Sequence, residues 1–122
     1  MSTPSVTLTR YYEHVDAGEI ETAMTLVAPD VTFAIVLPGH AVRGTDRSGL
    51  VDYLSRRGEV VRRHVPLRTA VAGDLEFVYG AVVEDDTTAT GNFLAAVRIN
   101  EDGLIAAYEV AFDPDHALIP AH

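Results

Sequence analysis

The chain has 122 residues, of which 48% are hydrophobic and 22% are charged, and these values are typical of one globular domain spanning residues 1–122. The net charge of −9 argues against a nucleic-acid partner, because phosphate binding requires a basic face. The absence of cysteine and lysine excludes thiol nucleophiles, disulfides, thiolate metal sites and Schiff-base chemistry.

The sequence lacks signals for membrane insertion or export. It contains no apolar run long enough to cross a bilayer. The N-terminus shows no basic start followed by an apolar block, which a secretory signal would have. We therefore expect a cytoplasmic protein without a membrane partner.

The first half of the chain predicts three helices. Thr3-Pro4 is a typical helix start, and Gly18 is a typical stop. A second helix with one apolar stripe begins near Glu19 and is expected to stop at Pro29. A third helix is predicted between Gly44 and Gly58.

The remainder of the chain predicts β-strands. Residues 31–37 are rich in β-branched side chains, and residues 41–43 can form a short return strand. Turn-forming residues then separate four further strands, at about 60–72, 75–84, 88–99 and 104–112. Because short turns join antiparallel neighbours, we predict an α+β domain in which an antiparallel sheet packs against the three helices.

Three segments carry a resemblance to a known family. They are RYYEHVDAGEIETAMTLVAPDVTF at residues 10–33, RGT before the third helix, and DGLIAAYEVAFDP near the end. Their order and spacing resemble the SnoaL-like and ketosteroid-isomerase-like proteins of the nuclear-transport-factor-2-like superfamily. The resemblance implies a cone-shaped curved sheet around a deep apolar pocket, with the first two helices closing its narrow side. It also implies a homodimer formed through the sheet face, and no cofactor is expected.

The resemblance leaves the activity open, since such proteins include isomerases, polyketide cyclases, dehydratases, epoxide hydrolases and non-catalytic binding modules. In ketosteroid isomerases a tyrosine of the first helix works with two acids on strands, and Tyr11 matches that tyrosine. The two acid positions fall on Ile35 and Ala95. We therefore do not expect the standard ketosteroid isomerase mechanism.

Strand alternation predicts which side chains line the pocket. On the last strand it places Tyr108 and Phe112 inside and Glu109 outside. On the preceding strands it places Tyr79 and Phe93 inside, and it turns Glu76, like Glu109, away from the pocket. The prediction for the last three strands is thus that aromatic rings face the pocket and acids face away.

His64 and Tyr11 are the candidate catalytic residues. His64 has the one side chain predicted near the pocket that ordinarily titrates close to neutral pH, so it is the candidate general acid and base. Tyr11 would donate a hydrogen bond to a developing oxyanion. The candidate ligand-binding residues are Ile35, Tyr53, Arg62, Tyr79, Phe93, Tyr108 and Phe112. The alternative is that the tyrosines pack with satisfied hydroxyls and that His64 is structural or exposed.

Five arginines are concentrated in one segment: Arg56, Arg57, Arg62, Arg63 and Arg68. The simpler interpretation is a solvated helix end, and the alternative is a port for an anionic ligand or carrier. No set of metal ligands is complete in the sequence, so no metal site is expected. The resemblance, with His64 and Tyr11 as candidate residues, implies an acid–base isomerase, cyclase or dehydratase for an apolar oxygenated metabolite. The alternative function is a non-catalytic ligand-binding or dimerisation module.

Overall fold

Three helices precede most of a six-stranded sheet in this computed structural model, which describes residues 6–56, 62–85 and 88–119. The predicted helix start at Thr3-Pro4, the helix end at Arg57-Gly58 and the first residues of the predicted strand at 60–72 lie outside the described residues. The elements are α1 (Thr7–Asp16), α2 (Ile20–Met24), β1 (Val27–Leu37), β2 (His40–Gly44), α3 (Arg47–Ser55), β3 (Arg62–Ala72), β4 (Leu75–Glu84), β5 (Thr88–Ile99) and β6 (Ile105–Asp113).

The strands form one curved sheet in the order β2-β1-β6-β5-β4-β3. Four of the pairings are antiparallel, and β1 pairs with β6 in parallel. The helices pack on one face of the sheet, as the α+β prediction requires. We call this helix-covered side the concave face and the opposite side the convex face.

Helix α1 lies on the concave face because its apolar residues fall on one side. Leu8, Tyr11, Tyr12 and Val15 are buried, at the i, i+3, i+4 and i+7 positions of a helix. Gly18 ends this segment with φ +79°, which suits glycine, and the chain turns directly into α2. None of the helices in the described ranges is both long and apolar enough to span a membrane.

The predicted boundary between α2 and β1 was wrong. Helix α2 ends at Met24, and β1 begins at Val27, four residues before the predicted start at Val31. Pro29 therefore lies in a strand and does not stop a helix. Pro29 is exposed and lies where the pairing register with β6 shifts between Val27 and Thr32, and such an irregularity tolerates the missing N–H of proline.

The predicted side-chain orientation on β4 was also wrong. Glu76, Val78 and Val82 are buried on the concave face, whereas Phe77 and Tyr79 are half-buried on the convex face. The Glu76 carboxylate accepts a hydrogen bond of 3.0 Å from the Leu8 backbone N–H, in the first turn of α1. A carboxylate is favourable at a helix N-terminus because it pairs with unsatisfied N–H groups and with the helix dipole. The acid thus anchors α1 and does not enter the cavity.

We predict that Glu76→Ala destabilises the protein by about 2 kcal/mol, because it leaves the buried Leu8 N–H without its acceptor. Glu76→Gln is the matched control, since its amide oxygen can still accept that hydrogen bond. Chemical denaturation should rank the proteins as wild type, then Glu76→Gln, then Glu76→Ala. Equal stability of the two variants would contradict this anchoring role.

Candidate functional site

A cavity of about 640 Å³ lies between the concave face, α1 and α3, a volume that suits a small organic ligand. One wall is apolar and is drawn from β1, β2, β4, β6 and α3. The residues of this wall are Phe33, Ile35, Leu37, Val42, Leu54, Val82, Val110 and Phe112. A ligand in this cavity would therefore lose most of its water, and polar side chains there would act in a low dielectric.

Asp16 and His64 form a hydrogen-bonded pair beside the cavity. Asp16 is the last residue of α1, and His64 lies near the start of β3. One Asp16 carboxylate oxygen lies 2.8 Å from His64 Nδ1, and the other accepts the His64 backbone N–H at 2.6 Å. Both side chains are largely buried, with 11% and 13% exposure. The carboxylate thereby fixes the position of both the strand and the imidazole ring.

The contact with Asp16 also selects the tautomer of His64. An Nδ1–H that donates to the carboxylate leaves the lone pair of the neutral ring on Nε2. Nε2 makes no hydrogen bond within the described part of the chain. Because His64 lines the cavity, this nitrogen is the one that can take a proton from a ligand.

Aromatic rings surround the imidazole. The Tyr12 ring stacks on His64 with centroids 4.2 Å apart, and Phe93 meets it edge-on at 5.1 Å. The hydroxyl oxygens of Tyr12 and Tyr108 lie 2.6 Å apart in a buried hydrogen bond. Tyr11 packs against both tyrosines, and its hydroxyl oxygen is fully buried. We call Tyr11, Tyr12, His64, Phe93 and Tyr108 the aromatic cluster.

Charged side chains line the more exposed part of the cavity. Arg62 Nε lies 3.3 Å from a Glu84 carboxylate oxygen, and both side chains are about one-third exposed, at 30% and 32%. Arg56 and Asp52 form an exposed pair one helical turn apart on α3, at 3.2 Å. Together with Arg43, these side chains mark the mouth of the cavity.

Most of the residues predicted for the site line this cavity. They are Tyr11, Ile35, Tyr53, Arg62, His64, Phe93, Tyr108 and Phe112. The prediction for Tyr79 was wrong, because β4 turns this residue to the convex face, where its hydroxyl accepts the Leu118 backbone N–H at 2.6 Å. Ile35 and Ala95, the two residues that the resemblance implied at the acid positions of ketosteroid isomerases, are buried.

The site residues that the sequence prediction did not name include Asp16, Tyr12 and Glu84. A signal for Asp16 was present, since it lies four residues after Tyr12 and therefore on the same side of α1. Its partner on β3 is 48 residues further along the chain, and no local pattern joins the two. Within the described ranges, no group of three His, Cys, Asp or Glu side chains is arranged to hold a metal ion.

Comparison with known proteins identifies the family of this fold and cavity. A profile of the SnoaL-like domain matches residues 8–108. The chain belongs to the SnoaL-like family. The matched range includes all of α1 except Thr7, the aromatic cluster and both members of the Asp16–His64 pair. No curated protein matches this SnoaL-like sequence.

Solved structures share the SnoaL-like fold at low sequence identity. A loop-truncation variant of IdmH is 21% identical with a TM-score of 0.74, and the match covers 91% of this chain and 93% of that one. Wild-type IdmH from Streptomyces antibioticus, assigned as a polyketide cyclase, is 19% identical with a TM-score of 0.71, covering 88% and 89%. A protein from Kribbella flavida assigned as a ketosteroid isomerase is 17% identical with a TM-score of 0.68, covering 94% and 81%. At these identities the three structures establish the fold alone.

Proposed function

We propose that this SnoaL-like protein is an enzyme that removes and returns a proton next to a carbonyl group of an apolar small molecule. The observation that carries the proposal is the Asp16–His64 pair, joined at 2.8 Å beside a largely apolar cavity. An oriented imidazole with a proton-accepting nitrogen is a general base suited to neutral pH. Isomerisation, cyclisation and dehydration all use such a proton transfer.

The tyrosines would stabilise the enolate that proton removal creates. Hydroxyl donors aimed at a developing oxyanion are most effective where water is excluded. The hydrogen-bonded Tyr12–Tyr108 pair is close to His64 through the stacking of Tyr12 on the imidazole. We assign the donor role to this pair because Tyr12 stacks directly on His64, and a packing role to Tyr11, whose ring packs against Tyr12 and Tyr108.

Solvent deuterium exchange tests the proposal without knowledge of the product. Apolar ketones of one to three fused rings, first selected by thermal shift as binders, would be incubated with the protein in D₂O. Mass spectrometry should detect protein-dependent deuterium incorporation at the carbon next to the carbonyl. Ketones that bind without exchange would contradict the catalytic proposal and favour the alternative, a non-catalytic ligand-binding module.

We further propose that two copies of the chain pair through the convex face. Leu94 lies in the middle of the sheet on this face and is 51% exposed. Arg98 and Glu109 are exposed on the same face with opposite charges. A two-fold axis through the face can bring Arg98 of one copy to Glu109 of the other, so the surface is complementary to itself.

Light scattering should therefore report a dimer for the wild type and a monomer for Leu94→Glu, because the variant would bury a charge at the centre of the contact. Arg98→Glu alone should weaken the dimer, and the double variant Arg98→Glu with Glu109→Arg should restore it. A monomeric wild type, or no restoration by the double variant, would contradict this mode of pairing.

A further inference from the structure

We infer that the ligand of this cavity carries an anionic oxygen group, such as a carboxylate, that binds the arginines at the mouth. The inference rests on the proposed function for the cavity itself and adds the charge of the ligand. It gives a role to the arginine-rich segment, of which Arg56 and Arg62 line the cavity.

Among the described side chains that line the cavity, cations outnumber acids, although the chain as a whole is acidic. The chain has nine cationic and 18 acidic side chains, for a net charge of −9. Among the residues that the structure describes, the cavity is lined by three cations, Arg43, Arg56 and Arg62, and by two acids, Asp52 and Glu84. A cavity lined by more cations than acids favours an anionic ligand over a neutral or cationic one.

Arg62 is the central residue of this inference. It lies two residues before His64 on β3, so both side chains project from the same face of the strand, about 7 Å apart. Its side chain is 30% exposed, which places the guanidinium at the boundary between the apolar cavity and solvent. An anionic group bound there would hold the apolar part of the ligand beside His64.

The contact of Arg62 with Glu84 is compatible with this role. Glu84 approaches Nε at 3.3 Å, and a guanidinium has five N–H donors in a planar fork that suits carboxylates. A ligand carboxylate would bind the same planar fork in competition with the acidic partner that Arg62 has in this structure. The Asp52–Arg56 pair is exposed, at 61% and 78%, and a pair of this kind contributes little and is easily rearranged.

The other arginines of the segment provide a contrast. Arg68 is exposed, bonds to the neighbouring Leu67 carbonyl at 2.8 Å and does not line the cavity. Arg63 is exposed and alternates with Arg62 to the opposite face of β3. The solvated-surface interpretation therefore holds for these two residues, and the anion-port interpretation holds for Arg56 and Arg62.

A matched pair of probes tests the inference. 2-Naphthoate and 2-naphthamide have the same ring system and nearly the same shape, but only the first is charged. Calorimetry at low salt should show that the wild type binds the carboxylate about tenfold more tightly than the amide. The preference should shrink in 0.5 M NaCl, because salt screens exposed charges.

Arginine variants test which residues cause the preference for the carboxylate over the amide. Arg62→Gln should remove most of the preference and Arg56→Gln part of it, whereas Arg68→Gln should keep the wild-type ratio. Equal or tighter binding of the amide by the wild type would overturn the inference, and so would an undiminished preference in the double variant Arg56→Gln/Arg62→Gln. Tight amide binding with catalysed exchange of neutral ketones would leave the proposed function intact while the inference fails.

Discussion

His64→Gln is expected to lower the rate of deuterium exchange into a bound ketone by about 10²–10⁴-fold, the usual contribution of a general base. Glutamine keeps a similar size and polarity but cannot accept a proton at neutral pH. His40→Gln is the matched control, because His40 lies exposed at the start of β2 and outside the cavity. Quantitative mass spectrometry of the exchanged ketone provides the measurement.

Asp16→Asn tests the positioning of His64 separately from the binding of the ketone. The side chain keeps its shape, but the loss of the carboxylate removes the acceptor that fixes the tautomer and the orientation of His64. The exchange rate should fall about 10²-fold or more, while the dissociation constant for the ketone changes little. If both substitutions left the exchange rate at the wild-type level, the Asp16–His64 pair would not be the base.

Gly80→Ala is expected to destabilise the fold by about 3 kcal/mol, the upper end of the range for overpacked cores. A Cβ on Gly80 would collide with the Val65 backbone carbonyl on β3 and would lie 2.7 Å from the Phe93 ring. The carbonyl belongs to a paired strand and cannot move without disturbing the sheet next to His64. The glycine thus permits the close approach of β3 and Phe93 in the wall of the cavity.

Ala81→Ser is the matched control for Gly80→Ala, since it also adds one heavy atom, on the adjacent residue and the opposite face of β4. Its effect should be within about 0.5 kcal/mol, as for most surface substitutions. Urea denaturation of the three proteins measures the difference. If Gly80→Ala were as stable as Ala81→Ser, the packing around Gly80 would be looser than the structure shows.

The order of elements could be predicted from the sequence because turn-forming residues separate them. Gly18, Gly39, Gly73 and Gly103 all adopt positive φ at the ends of elements. Glycine favours turns, so these residues predict where the elements end. The start of β1 could not be predicted in the same way. Pro29 predicts a break between a helix before it and a strand after it. In the structure β1 begins before Pro29, because Val27 pairs with Ile105 on β6, which is distant in sequence.

Side-chain orientation was predictable only where large apolar residues dominate one side of a strand. On β5 and β6 the buried residues Phe93, Val97, Tyr108 and Val110 follow the predicted alternation. On β4 both faces carry apolar residues, and the assumption that aromatic rings point inward chose the wrong face. Glu76 points inward because its carboxylate binds the Leu8 N–H at the start of α1. This contact joins residues distant in sequence, so the alternation along a strand cannot predict it.

The same limit applies to the site. Residues that line the cavity through regular alternation, such as Phe93, Tyr108 and Phe112, were found from the sequence. His64 was found from its chemistry. Asp16 was not found from the sequence. Its role depends on its contact with His64, and only the folded chain brings the end of α1 to the start of β3.

The parallel pairing of β1 with β6 determines when the protein can fold during synthesis. Strand β6 lies in the interior of the sheet, between β1 and β5. It therefore joins the β1–β2 pair, which is synthesised first, to the β3–β4–β5 group, which is synthesised later. Residues before Ile105 can form the three helices, the β1–β2 hairpin and the three-stranded β3–β4–β5 meander, but they cannot join the two groups of strands into one sheet. The nascent chain is therefore expected to complete its fold only after β6 has left the ribosome. Truncation before that strand should give a product that chaperones bind and proteases degrade.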